Sequence, residues 1–325
     1  MAMELQEAFI VAASCIGFIS VCKAFINVVR WVWVMFLRPP KNLKDYGSWG
    51  IVTGSAQGIG KVLAIELASK GLNLVLLDKN RSALEATCNE ILEQFGGKVE
   101  IKSMIIDLAK LSGEEIANAI EEEIKELDVG VLINNAGMAY PYARFFHEVD
   151  LELMENIIKL NLVAATWVTK AVLPGMLKKK KGAILNISSI SAYLPSNPLY
   201  TLYSTTKAYI SVFSRCISLE YKQKGIDIQC QTPLCVATRM TKHLNGPSWL
   251  MASPEKFCKA SVRWIGYEPM CNPYWWHSVQ WFIFRVATPD VLLNAISYWI
   301  CIRISKKGQM KEAQIKKMHQ QESSL

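Results

Sequence analysis

The chain has 325 residues, 51% of them hydrophobic, and a formal net charge of +8 at pH 7, which suits one large catalytic domain with appendages. Nine cysteines form no Cys-x-x-Cys pair and four histidines are scattered, so neither a disulfide framework nor a metal site is expected, as suits a reducing cytosolic face. The basic residues gather beside an apolar N-terminal run, in Lys178–Lys181 and in the tail, with no aromatic-interleaved basic motif; they point to anionic lipid headgroups or plain solvation, not to nucleic acid.

In chain order, the first element is apolar. From Ala8 to Leu37 the only charges are Lys23 and Arg30, and Phe9–Cys22 carries none. A bilayer core asks for roughly 20 apolar residues in a helix, so a membrane segment is expected here in preference to a buried core helix. Glu4 and Glu7 precede it, whereas Lys23, Arg30, Arg38, Lys41 and Lys44 lie within or after it. A secretory leader has its bases first, and the observed order holds the main domain in the cytosol. Pro39 and Pro40 then end any helix and open a polar linker. The expected divisions are an anchor and linker over 1–45, a dinucleotide-binding domain over 46–252, and an aromatic, apolar extension with a polar tail over 253–325.

Residues 49–54 read as a buried strand, 59–71 as an amphipathic helix closed by Gly71, and 72–78 as a second strand. Further strands are expected over 101–108, 129–137, 182–188 and 226–232, with helices between them. Apolar strands alternating with helices predict an α/β fold, a single doubly wound parallel sheet of the Rossmann type. Beyond Ser253 the pattern changes to an aromatic-rich segment and a second apolar run interrupted by Arg285, Pro289 and Asp290. Membrane association is expected there, and a polar tail without fixed structure from Lys306.

Three stretches carry chemistry. Thr53–Gly60, TGSAQGIG, follows the first strand and opens the first helix, where glycines let the backbone approach a pyrophosphate at a helix N-terminus. A tight strand–helix turn is the plain alternative, and position in the first βα unit favours the nucleotide. In YSTTK, Tyr203 and Lys207 lie one helical turn apart on one face, and an ammonium there favours the phenolate, bringing the Tyr pKa towards the working range. Ser188, Ser189 or Ser191, at the end of the preceding strand, can place a hydroxyl on a substrate carbonyl. Asn161 lies within a helix, where an amide can equally be a solvated or capping group. At the end of the second strand, Asp78 is placed to accept from both ribose hydroxyls, which favours NADH. Lys79 and Arg81 pull towards a 2′-phosphate, and the alternative for Asp78 is a cap on the following turn.

Taken in order, TGxxxGIG, Asn134–Gly137 (NNAG), the Asn161 helix, the serine cluster and YxxxK resemble the short-chain dehydrogenase/reductase family over about Gly47 to Thr241. LRPPKNLKDYGSW, NNAGMAYPYARFFHEVD, GIDIQCQTPLCVATRMTK and GYEPMCNPYW are similar, more narrowly, to the plant very-long-chain 3-oxoacyl-CoA reductases of the endoplasmic-reticulum fatty-acid elongase. These are relatives of the animal 17β-hydroxysteroid dehydrogenases. The resemblance implies reduction of a very-long-chain 3-oxoacyl-CoA with NADPH, in the endoplasmic reticulum membrane, alongside other elongase subunits.

It also implies roles. Tyr203 becomes the general acid, Lys207 lowers the Tyr pKa and binds the nicotinamide ribose, Ser189 holds the carbonyl, and Asn161 anchors a water in the proton relay. Gly54, Ser55, Gln57, Gly58, Ile59 and Gly60 bind the dinucleotide, with Asp78 and Lys79 at its ribose and Asp107 at the adenine. Asn135, Ala136 and Gly137 line the cleft, and Val236 and Thr238 meet the nicotinamide end. Two departures stand out. The Ser189–Tyr203 interval is one residue longer than is common in the wider family, and Asp78 stands where the plant reductases usually have a small residue followed by Arg. A hydroxysteroid dehydrogenase uses the same residues on a rigid ketone, and a catalytically silent elongase scaffold is the competing reading from another class.

Overall fold

The structure, a computed structural model, describes residues 2–244 and 249–322. The chain divides into two units, 1–40 and 41–325. In the first, helix α1 spans Ala2–Val32, and a wider π-type turn extends it over Trp33–Leu37. This helix is long and apolar enough to cross a membrane, and none of its most apolar stretch is buried within the protein. It fits a membrane segment, as expected from its sequence.

The second unit is built on seven parallel strands. These are β1 (Trp49–Thr53), β2 (Asn73–Asp78), β3 (Ile101–Ile105), β4 (Val129–Asn134), β5 (Gly182–Ile187), β6 (Ile226–Gln231) and β7 (Met270–Cys271). Their spatial order is β3-β2-β1-β4-β5-β6-β7, so the connections reverse direction between β1 and β4. In such sheets a ligand crevice opens at that switch point, beyond the carboxyl ends of the strands.

The near-continuous apolar runs of β1, β2 and β4 follow from helices covering both faces. On one face Val52, Leu74, Leu76, Val131, Ile133 and Leu185 pack with side chains of α2 (Gly58–Ser69), α3 (Arg81–Phe95) and α8 (Pro254–Trp264). On the other, Ile51, Val75, Leu77, Leu132 and Ile184 meet α4 (Gly113–Ile124), α6 (Ala165–Lys179) and α7 (Thr201–Tyr221). Helix starts follow local chemistry: Asn80 caps α3, Ser112 and Glu115 form a capping box on α4, and Asp150 caps α5 (Leu151–Ile158). The stretch Leu151–Lys179 is also long and apolar enough to span a bilayer, but half of its most apolar part is buried. Ile157, Val168, Val172 and Met176 place it in the core.

The region beyond Ser253 enters the same unit. It supplies α8, the edge strand β7, α9 (Trp275–Phe282) and α10 (Asp290–Glu322). The expectation of an unstructured tail from Lys306 does not hold, because α10 continues through it. Two observations explain why. Gly308 seats against Tyr142, so closely that a Cβ would strike the ring, and Glu312 accepts from Tyr142 and from Arg144 Nη2 (3.1 Å) while pairing with Lys316 (3.4 Å). Tertiary anchors thus hold a helix whose composition alone reads as solvated.

Candidate active site

At the switch point the chain encloses a cavity of about 790 Å³. Its floor is the turn after β1. Gly54 and Gly58 both take positive φ (66° and 60°), a conformation glycine adopts freely. A Cβ on Gly54 would lie 2.9 Å from Ala136 Cα, and one on Gly60 would strike the Gly54 carbonyl, so α2 starts directly against the strand ends. Thr53 fixes the neighbouring segment: its hydroxyl oxygen accepts from the backbone N–H of Asn135 and of Ala136, each at 3.0 Å. Asn135 Nδ2 returns hydrogen bonds to the carbonyls of Thr53 (3.0 Å) and Gly54 (3.1 Å).

Not every residue of the glycine-rich stretch faces the cavity. Gly54, Gln57, Gly58 and Ile59 line it. Ser55 instead turns inward and donates to the Leu77 carbonyl (3.2 Å), tying the loop to β2. Gly60 is buried and serves close packing, because its side is occupied by the loop backbone. A dinucleotide fits this cradle: backbone glycines at a helix start, a cleft-lining Asn135–Gly137 segment, and a volume of the right order.

At the far wall, Ser189, Tyr203 and Lys207 line the same cavity. Lys207 is 6% exposed, and its Nζ donates to the Ile187 carbonyl (2.9 Å) and stands 5.9 Å from the Tyr203 ring centre. Burial pulls its ammonium down to about 8, while the nearby Cys230 thiol acts the other way. Tyr203 hydrogen-bonds with Ser189, which lowers its pKa, but burial raises it more, and the net shift is upward. The sequence expectation of a Tyr pKa brought down by Lys207 is not met: desolvation is the largest influence on Tyr203, and burial disfavours the Lys207 charge itself.

The three candidate serines separate cleanly. Ser188 spends its hydroxyl on the Lys207 carbonyl (2.7 Å) and on Ser211 (2.9 Å). The Ser191 hydroxyl is buried without a hydrogen-bond partner and does not line the cavity. Ser189, whose oxygen also accepts from the Ser191 backbone N–H (3.2 Å), is the one that meets Tyr203.

Asn161 sits where the helix widens into a π-type turn over Lys159–Ala164. Its Nδ2 donates to the Met138 carbonyl and to Thr206 Oγ1, each at 2.9 Å, and its Oδ1 accepts from Met138 N–H (2.8 Å). Both amide protons are committed, and the side chain stands behind the cavity wall. It holds Met138 in place, and any Cβ on Gly137 would lie 3.3 Å from both Asn161 Oδ1 and Lys207 Nζ.

At the carboxyl ends of β2 and β3, Asp78, Lys79, Asp107 and Ile106 line the cavity. Asp78 accepts from Ala56 N–H (3.1 Å) with one oxygen and from Asn80 N–H (3.0 Å) with the other. Capping of the turn and exposure to the cavity thus coexist in one carboxylate. Lys79 lies 3.8 Å from Asp107. Val236 and Thr238 line the opposite edge, and Thr241 pins them by donating to the Val236 carbonyl (2.6 Å) and accepting from Thr238 N–H (3.0 Å).

Three residues that shape the cavity carry no individual role in the sequence reading. Thr53 lies inside the glycine stretch, and Arg239 donates to Gln57 Oε1 (2.8 Å) across the cavity mouth. His277 of α9 is fully buried. Its Nδ1 takes the Leu234 N–H (3.4 Å) and its Nε2 faces the Cys235 carbonyl (3.2 Å), so it clamps the segment after β6 that lines the cavity. No spacing pattern marks such a residue, because its partners are backbone atoms distant in sequence.

A family model described as short chain dehydrogenase matches residues 49–248. A very-long-chain 3-oxoacyl-CoA reductase-like protein of Arabidopsis thaliana is 45% identical over 296 residues, covering 90% of this chain and 93% of that protein. The human inactive hydroxysteroid dehydrogenase-like protein 1 is 38% identical over 278 residues, 84% of this chain and 82% of its own length. Among solved structures, a short-chain dehydrogenase from Sphingobium yanoikuyae in complex with NADPH is 27% identical, with a TM-score of 0.62 over 74% of this chain and 92% of that one.

Proposed function

The chain belongs to the short-chain dehydrogenase family and is an oxidoreductase, and from that premise we propose that it reduces very-long-chain 3-oxoacyl-CoA to 3-hydroxyacyl-CoA with NADPH. The observation that carries the reading is the meeting of Ser189, Tyr203 and Lys207 in one cavity with the glycine turn. The Arabidopsis relative's name supplies the substrate class. The nicotinamide of a dinucleotide held by the Gly54–Gly58 turn and the Asn135–Gly137 segment would supply the hydride. Ser189 donates to the keto oxygen, and Tyr203 hands over its proton as charge builds there.

Burial suits that role, since it keeps the phenol protonated at neutral pH, as an acid must be before it acts. Lys207 then offsets the phenolate left behind. With a pKa of about 8 it can pass a proton on without leaving a strong base. Asn161, through Met138, keeps the wall opposite in register.

We assign the catalytic unit to the cytosolic face of the endoplasmic reticulum membrane, within an elongase assembly. The long apolar helix α1 supports attachment, and exposed Phe282, Val286, Val291 and Trp299 support a second membrane contact. An acyl chain too apolar to leave a bilayer gives both a purpose.

The test is reduction by the full-length protein in detergent, with NADPH or NADH, of a long 3-oxoacyl-CoA and of a steroid ketone. Turnover of the acyl-CoA alone upholds the proposal. Turnover of the steroid alone transfers the site to hydroxysteroids. Tight NADPH binding with neither turnover overturns catalysis and leaves the scaffold reading that the human relative's name suggests.

A further inference from the structure

The charges around the cavity are not evenly placed. Its carboxylates, Asp78 and Asp107, lie at the carboxyl ends of β2 and β3. Lys79 stands beside them, whereas the lining charges from the helix after β6 and from α10 are all basic: Arg239, Lys242 and Lys311. Arg239 is tied to Gln57 and so leans over the dinucleotide turn. Lys242 and Lys311 form no ion pair among the described residues, and they come from different elements, the short helix Arg239–Leu244 and α10.

The placement of Lys311 is built. The next residue, Glu312, points to another face of α10, where it accepts from Tyr142 and Arg144 and pairs with Lys316, fixing this turn of the helix beside the cavity. Arg144 in turn lies 4.4 Å from the centre of the Tyr142 ring, and Gly308 lets α10 press against that ring. Tyr142 and Arg144 continue the Met138–Pro141 stretch of the cavity wall. The latch therefore holds Lys311 at the cavity, with no ion-pair partner among the described residues.

Resting on the proposed reduction of an acyl-CoA, we propose that Lys242 and Lys311 form a cationic subsite for the phosphates of the substrate's coenzyme A. With the reacting carbonyl held beside Tyr203 and Ser189, the phosphorylated end of the substrate would lie within reach of the two lysines, which line the same cavity. A cofactor pyrophosphate needs neither lysine, since the glycine turn, the α2 N-terminus and Arg239 already face it. A steroid ketone carries no anion for the pair to hold, so the subsite also separates the two substrate classes.

The full-length protein and its Lys242→Ala, Lys311→Ala double variant would be compared in three measurements. These are KM and kcat for a 3-oxoacyl-CoA, the same constants for that acyl group on N-acetylcysteamine, and Kd for free coenzyme A and for NADPH. Two solvent-exposed ion pairs together are worth up to about tenfold in affinity. The expected result is a KM for the CoA ester raised by about that factor, with kcat held, and weaker binding of coenzyme A. The phosphate-free thioester and NADPH should change less than about twofold. Raised salt should close the gap between wild type and variant. Equal losses on both thioesters, a loss confined to NADPH, or no coenzyme A binding by the wild type would overturn the subsite. If neither thioester is reduced while coenzyme A binding still depends on the lysines, the proposed reaction fails and the subsite stands.

Discussion

The cofactor half of the sheet and the C-terminal region hold the same cavity by different means. Around β1, β2 and β4 the backbone itself makes the site: glycines remove side chains so that Gly54 and Gly60 can touch neighbouring main chain, and Thr53 and Asn135 bond to main-chain atoms close by. Beyond Ser253, side chains do the holding. Gln229 of β6 donates to the carbonyls of Trp264 and Glu268, Gln231 and Ser261 bond each other, and His277 grips Leu234 and Cys235. The first half tolerates almost no added atom, whereas the second depends on single buried polar groups that must keep their partners.

The catalytic wall lies between these halves, and its variants should show the largest effects. Tyr203→Phe keeps the ring and loses only the hydroxyl. Turnover should fall by roughly 10²–10⁴-fold, the usual worth of a positioned acid, while NADPH binding followed by cofactor fluorescence stays near wild type. Retained turnover would remove Tyr203 from its role. Lys207→Met should abolish activity and yet raise Tm at pH 7. The buried ammonium, depressed from its ordinary 10.5 to about 8, costs the folded state up to about 3 kcal/mol below both values. A lower Tm would mean that the bond to the Ile187 carbonyl is worth more than the desolvation it offsets.

The C-terminal half should break at His277. Burial holds its pKa down, from an ordinary 6.5 to about 4, and the neutral ring is the form that can accept from Leu234 N–H while its other nitrogen faces the Cys235 carbonyl. Between those values the unfolded chain binds a proton that the folded chain refuses. Stability should therefore fall as pH drops from about 6.5 to about 4, by about 3 kcal/mol in total, and the loss from this group should level off below that. His277→Phe should lose this part of the acid slope and weaken NADPH binding even at pH 7.5, because the Leu234–Val236 wall is released. An unchanged slope in denaturant titrations across the window would show that the ring does not govern it.

How legible these halves were in the sequence follows from the same contrast. Six of the seven strands, the glycine turn and the Tyr203–Lys207 pair announce themselves through periodicity or fixed local spacing. β7, only Met270–Cys271, is too short to show an alternation and exists because Cys230 and Gln231 offer an edge. His277 and the Tyr142–Glu312 latch join residues far apart in sequence, and no local pattern encodes such a pair. The helical tail was misread for the same reason, since its anchors lie on the Tyr142–Arg144 stretch. Ser55 and Asn161 sit within recognisable stretches, but which way each side chain turns is decided by unsatisfied neighbours: the Leu77 carbonyl for one, the Met138 backbone for the other.

The smallest expected effect tests whether the cofactor half can be tuned without being broken. Asp78 has one oxygen on Ala56 N–H and one on Asn80 N–H and still lines the cavity, so each oxygen keeps a further lone pair. A carboxylate at a ribose would accept from both hydroxyls of NADH and repel a 2′-phosphate. At about 4 Å in near-bulk solvent that repulsion is on the order of 1 kcal/mol, about fivefold in affinity. Lys79 answers it only in part, because it is an ammonium on a flexible stem and stands within reach of Asp107. NADPH should therefore be used, with NADH a closer second than the resemblance to the plant reductases implies. Asp78→Asn removes the charge and keeps an acceptor for only one of the two backbone N–H groups, so its NADPH-to-NADH ratio of kcat/KM should rise about fivefold with part of the alanine variant's loss of Tm. Asp78→Ala should shift the ratio equally but also lower stability by about 1 kcal/mol, since both backbone N–H groups lose their acceptor. If the ratio stays constant in both variants while Tm falls, Asp78 serves the turn alone and the cofactor is selected elsewhere.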